Sequence, residues 1–102
     1  SAACTSAAGA QGATHVDGAR ARDLVSHGAT LLDVRTAGEY GTRHIDGATN
    51  IPVDAIASRL ADVPRDRPVV VYCQSGGRSA RAASILAAAG YETYDLGGIG
   101  NW

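Results

Sequence analysis

The chain reads as an α/β domain, a central, mainly parallel sheet of about five strands with helices on both faces. Short apolar runs alternate with helical stretches, as right-handed β-α-β crossovers require. Two of the runs, ATLLDV and PVVVYC, are dominated by apolar side chains, the pattern of strands buried on both faces. The length of 102 residues suits one core and not two, since domains usually hold about 100–150 residues.

The opening stretch SAACTSAAGAQGA is small, polar and without periodicity, so residues 1–13 are expected to be a flexible tail and 14–102 the domain. His15 and Val16 form a short candidate strand. Asp17 then caps a helix whose apolar positions Ala21, Leu24 and Val25 share one face, and Gly28 closes it. Ala29 to Val34 is the second strand. In TAGEYGTRHIDGATNIP only a brief helical turn around Ala37 to Tyr40 is expected, because Gly38, Gly41 and Gly47 hold the rest in loop, with an extended piece near Ala48 to Ile51. After Pro52, the spacing of Val53, Ile56, Ala57 and Leu60 predicts an amphipathic helix lying on the sheet. Pro64 and Pro68 bracket a charged turn, and PVVVYC, the most β-prone run, should be a central strand. The next helix carries Ser79 near its start, Ala82, Ile85, Leu86 and Ala89 on one face, and Gly90 as a left-handed cap. ETYDL is the last strand. The residues up to Trp102 look like the first turn of a further helix, from which the natural domain is expected to run slightly further.

Composition narrows the function. Apolar residues make up 45% and charged residues 19%, with a formal net charge of -1, a balance that fits neither disorder nor the basic stripe of a nucleic-acid reader. All nine basic residues are arginine, and Phe and Met are absent, so the core must be built from Val, Ile, Leu and many Ala. No window holds the roughly 18 consecutive apolar residues of a membrane-spanning helix. Cys4 and Cys73 are too few and too far apart for a disulfide framework. His15, His27 and His44 lack the short spacings of metal-ligand pairs, so no metal site is expected.

The chemistry points to Cys73. In a parallel sheet, functional groups gather at the carboxyl ends of strands, where loops lead into helix N-termini. Cys73 ends the VVVYC strand, and Gln74, Ser75, Gly76 and Gly77 follow before the helix. The glycines permit a curl in which successive backbone N–H groups point at a common centre suited to an anion. The positive end of the helix dipole, from about Arg78 onward, and the Arg78 guanidinium add to that field. Such surroundings bring a cysteine pKa from about 8.5 down to roughly 3.5–7.5, which makes the thiolate available as a nucleophile. The competing reading is a small apolar residue ending a buried strand. A merely structural strand end has no use for an anion-holding loop, which favours the nucleophile.

Four stretches, LLDVRTAGEY, HIDGATNIP, VVVYCQSGGRSARAASILAAAGY and DLGGIGNW, together resemble a single-domain rhodanese, a sulfurtransferase, over most of residues 14–102. The active-loop pattern Cys-x-x-Gly-x-Arg-Ser is present as Cys73, Gly76, Arg78 and Ser79. The resemblance implies a rhodanese-like fold and a double displacement. Cys73 takes a sulfane sulfur from a small-molecule donor such as thiosulfate and passes it to cyanide or a thiol acceptor. It implies backbone N–H groups of Gln74, Ser75, Gly76, Gly77, Arg78 and Ser79 around the persulfide sulfur, with Arg78 attracting the sulfonate of thiosulfate, and it calls for no metal or organic cofactor. A monomer is expected. Phosphatases of the wider fold carry one residue more between cysteine and arginine, whereas this chain has four, which disfavours phosphatase or arsenate-reductase activity. The rival of a different class is a binding module without turnover, and a third reading is a domain cut from a larger oxidoreductase.

Asp33 and Arg35 end the second strand on the same sheet edge as Cys73, and the resemblance places such a pair beside the active loop. A supporting network is expected, with Arg35 reaching Glu39 in the next turn. His44 and Trp102 also match family positions, with structural roles expected for both. Ser1-Ala2-Ala3-Cys4 resembles the end of a bacterial lipobox, in which the cysteine becomes lipidated. An exported, membrane-tethered protein is the expectation from that stretch, and a cytoplasmic protein with an incidental Cys4 is its alternative.

Overall fold

The computed structural model describes residues 12–102; the tail assigned to residues 1–13 lies outside the described residues except for Gly12 and Ala13, and Cys4 lies wholly outside them. Five strands, β1 (Thr14–His15), β2 (Thr30–Asp33), β3 (Thr49–Asn50), β4 (Val69–Cys73) and β5 (Thr93–Gly98), form one sheet in the order β1-β5-β4-β2-β3. Every pairing in it is parallel. β4 is the middle strand, and all five of its residues are buried.

Alternation along the strands divides the core. Leu32 and Val34 of the second strand region and Val69, Val71 and Cys73 of β4 face one layer, against α3 (Gly77–Ala88) and the segment after Pro52. Leu31, Val70 and Tyr72 face the other, against Ala21 of α1 (Gly18–Ser26) and the stretch carrying Ile45 and Ala48. The α1 boundaries follow local chemistry: the Asp17 carboxylate accepts from the Arg20 N–H at 2.9 Å, and Gly28 takes φ +104° just past the C-terminus. The short α2 (Ala37–Thr42) has a full capping box, in which the Thr36 hydroxyl accepts from the Glu39 N–H and the Glu39 carboxylate accepts from the Thr36 N–H.

Two expectations need correction. The helix predicted after Pro52 is a pair of 3-10 turns, Val53–Ser58 and Leu60–Asp62. Val53 donates its N–H to Val34 O at 3.0 Å, which ties the start of the segment to the sheet, and the buried side chains, Val53 and Ile56, are three residues apart. That spacing matches three residues per turn and leaves Ala57 exposed. In α3 the buried stripe is Ser79, Ala82, Ala83, Leu86 and Ala87, so the helix is rotated from the expected face and Ile85 and Ala89 sit at its margin. Small residues at 82, 83 and 87 let the helix lie close to the sheet, which favours this face over the one with Ile85.

The register between β4 and β5 slips between Val71 and Tyr72, so that Val71 faces Asp95 while Tyr72 faces Gly97 and Cys73 faces Gly98. The extra residue forms a bulge, eased by Gly97 at φ +85° and by the Asp95 carboxylate accepting from the Gly97 N–H at 2.9 Å. The chain beyond it is one 3-10 turn, Ile99–Asn101, and Trp102 packs on the second core layer.

Candidate active site

The carboxyl ends of β2 and β4 lie side by side, Asp33 opposite Tyr72, and deliver the predicted residues to one edge of the sheet. Cys73 is the free cysteine among the described residues, and it is buried, 1% exposed. Gly76 takes φ +113°, a left-handed turn that L side chains rarely adopt, and α3 begins at the next residue. Its N–H donates to Cys73 Sγ at 2.9 Å. Gly77 has no such conformation, and a Cβ there meets nothing within 4 Å, so of the two glycines Gly76 is the one the curl requires. Gly98 leaves no room for a side chain either, because a Cβ on it falls 2.8 Å from the Gln74 carbonyl oxygen. The β5 bulge is thus the floor on which the loop rests.

Burial pushes the Cys73 thiol up. The Ser79 hydroxyl and the backbone N–H groups of Ser79, Gly76 and Ser75 oppose that and prevail, so the thiol lies below its ordinary value. Ser79 is fully buried beneath the loop, and its hydroxyl lies 3.0 Å from Gly76 O. A hydroxyl has one hydrogen, so it serves either that carbonyl or the sulfur at a given moment. Gln74 differs from the rest of the loop: its side-chain oxygen accepts from Arg35 Nη1 at 3.2 Å.

Asp33 and Arg35 form a buried pair, 0% and 3% exposed, with Nη2 2.7 Å from Oδ2 and Nε 3.1 Å from both carboxylate oxygens. The same guanidinium donates to Arg43 O at 2.5 Å and stacks over the Tyr72 ring at 5.7 Å. Asn50 Nδ2 bonds the carbonyls of Asp33 and Arg35, each at 3.0 Å. Arg35 therefore does not pair with Glu39, contrary to expectation. A carboxylate as buried as that of Asp33 requires a cation in contact, and Arg35, two residues on, meets that need.

Glu39 instead holds Arg78. The two groups make a bidentate pair, Nη1 to Oε1 at 2.6 Å and Nη2 to Oε2 at 3.0 Å, across 39 residues of sequence. Arg78 and the Thr36 donors hold the Glu39 carboxyl well down, at about 2. The signal that marks Glu39 is the capping box Thr36-x-x-Glu39, which fixes the carboxylate at the start of α2. His44 stays outside the site: its ring stacks on Tyr40 with centroids 3.8 Å apart, and Nδ1 faces Tyr40 O at 2.9 Å. The arrangement offers a buried sulfur whose thiol is shifted downward, donors converging on it, and, at the start of α3, the Arg78 guanidinium held by Glu39.

The sequence profile of the rhodanese-like domain matches residues 17–102. The uncharacterized protein YqhL of Bacillus subtilis is 43% identical over 76 residues, 72% of this chain, and the chain spans 60% of that relative's length. The thiosulfate sulfurtransferase GlpE of Pseudomonas savastanoi is 34% identical over 85 residues, covering 81% of this chain and 80% of that protein. The structure of the human single domain sulfurtransferase TSTD1 is similar at a TM-score of 0.71 and 28% identity, over 89% of this chain and 93% of the other.

Proposed function

The chain belongs to the rhodanese-like domain family, and from that premise we propose that it is a sulfurtransferase that carries a sulfane sulfur on Cys73. Relatives named thiosulfate sulfurtransferase support the class of reaction. The observation that carries the reading is the Gly76 N–H at 2.9 Å from Cys73 Sγ, one of several donors converging on a sulfur at the N-terminus of α3.

In the proposed first half-reaction the Cys73 thiolate attacks the outer sulfur of thiosulfate. A sulfur–sulfur bond forms to Cys73, the bond between the outer sulfur and the sulfonate sulfur breaks, and its electron pair leaves on sulfite. The terminal sulfur of the resulting persulfide bears the negative charge and lies where the loop donors and the helix dipole stabilise it. In the second half-reaction an acceptor nucleophile such as cyanide attacks that sulfur, forming thiocyanate and returning the electron pair of the broken bond to the Cys73 thiolate. Asp33 and Arg35 support the loop through Gln74 without touching the reacting sulfur. In each half-reaction the sulfur carries its oxidation level from one partner to the other, so neither needs an outside oxidant or reductant or calls on a cofactor.

Thiosulfate-to-cyanide turnover by the wild type, lost on Cys73→Ser, is the expected result. Mass spectrometry after thiosulfate treatment should show one added sulfur on Cys73. No turnover by the wild type, or undiminished turnover by the variant, overturns the reading. Membrane tethering through a lipid on Cys4 is a separate proposal that rests on Ser1-Ala2-Ala3-Cys4 alone, and native protein with an unmodified residue preceding Cys4 removes it.

A further inference from the structure

We propose that Glu39 decides which sulfur donors the site accepts, by competing with the donor's acidic end for Arg78. The proposal rests on the sulfurtransferase reading above and concerns the donor's charge. Arg78 is the loop's own cation, yet both of its terminal nitrogens are engaged by Glu39 at 2.6 and 3.0 Å. Two further guanidinium groups are likewise engaged: Arg35 by Asp33 at 2.7 Å, and Arg81, on the next turn of α3, by Asp54 at 3.2 Å. A donor that reaches for Arg78 must displace the Glu39 carboxylate or lie beside it.

The Glu39–Arg78 pair is suited to such competition. Arg78 is 36% exposed and Glu39 33%, so the pair stands at the mouth of the site, where solvent and a ligand reach it. Glu39 does not swing away easily, because its Oε1 also accepts from the Thr36 N–H at 3.0 Å and the Thr36 hydroxyl at 3.1 Å. The carboxylate is ionised throughout the neutral and mildly acidic range. Its repulsion of an incoming donor therefore grows with the donor's charge, and thiosulfate, a dianion, suffers about twice what a monoanion does. Methanethiosulfonate is the matched probe, with the same transferable sulfur on a sulfonyl group and one charge fewer.

Glu39→Gln is the informative variant, since glutamine keeps the capping-box acceptor while removing the charge. The ratio of kcat/KM for thiosulfate to that for methanethiosulfonate should rise roughly fivefold, through KM rather than kcat, a size set by a partly exposed ion pair. Glu39→Asp, which keeps the charge, should hold the wild-type ratio. A loss of structure alone would lower both donors together. The second arm needs no turnover: titration of thiosulfate into Cys73→Ser protein, with and without Glu39→Gln, should show the dissociation constant fall roughly fivefold in the double variant. An unchanged dissociation constant, or a donor ratio that does not move, overturns the role of Glu39. A wild type that transfers no sulfur while the titration still shows the fall overturns the sulfurtransferase reading and leaves the role of Glu39 in anion selection standing.

Discussion

The sulfur of Cys73 is pulled in two directions, and the balance decides its reactivity. Burial raises the thiol, while Ser79 and the N–H groups of Ser75, Gly76 and Ser79 lower it, with a net downward shift. The thiolate absorbance should therefore appear with a midpoint below that of an ordinary free thiol, as measured on the unfolded chain. Ser79→Ala removes one donor and should move that midpoint upward. A wild-type midpoint at or above the free value, or no movement in the variant, contradicts this account. The sign for stability follows from the same shift. A depressed folded-state pKa contributes stability that is fully present above the unfolded thiol's pKa and is lost as pH falls through the folded value. The proposed sulfur transfer should fade in the same direction, since protonation of Cys73 would remove its nucleophile.

The loop joining β4 to α3 depends on one glycine more than on its neighbour. Gly76 sits at φ +113°, whereas Gly77 occupies the first helical position with open space where a side chain would go. Gly76→Ala should destabilise the fold by about 1–2 kcal/mol, the cost of forcing an L residue left-handed. It should also lower sulfur transfer, because the Gly76 N–H is the donor 2.9 Å from the sulfur. Gly77→Ala should be neutral or stabilising by up to about 1 kcal/mol, since alanine loses less backbone freedom on folding. Urea unfolding of the two variants checks the contrast, and equal losses would show that the curl does not rest on Gly76. The α3 stripe was harder to read than this loop. Alanine is small enough to lie on either side of the helix, so the sequence allowed a face through Ile85 where packing chose Ala83 and Ala87.

Both layers of core meet on β4, so packing there governs the stability of the entire domain. Leu86 is fully buried against the layer that also holds Val71 and Cys73. Leu86→Ala should cost about 2–5 kcal/mol. That is a large part of the roughly 5–15 kcal/mol that holds a domain of this kind together. Unfolding by urea should show the loss as a lower midpoint with little change in slope. A loss under about 1 kcal/mol would mean that the neighbouring residues, Ala82 and Ala83 among them, close up to fill the space.

Much of the fold was legible because its signals are local. Asp17 and Gly28 bounded α1, the apolar run to Cys73 marked the central strand, and the glycines after Cys73 marked the turn into α3. Cys73, Gly76 and Ser79 could be picked out for the same reason, since a strand, a curl and a helix start lie within seven consecutive residues. The apolar spacing after Pro52 fits a helix about as well as it fits 3-10 turns, and the attachment of the segment to the sheet through the Val53 N–H to Val34 O bond is not visible in the local pattern.

The chain order alone was enough to indicate the parallel α/β plan, the place of Cys73 at the end of the central strand and the four residues between it and Arg78. The tertiary structure decided the partners of the charges: Asp33 took Arg35, and Glu39 took Arg78 from 39 residues away. A backbone conformation is set by neighbours in sequence, but a long charged side chain pairs with whichever opposite charge the packed elements bring within reach, and that is known only once the sheet has formed.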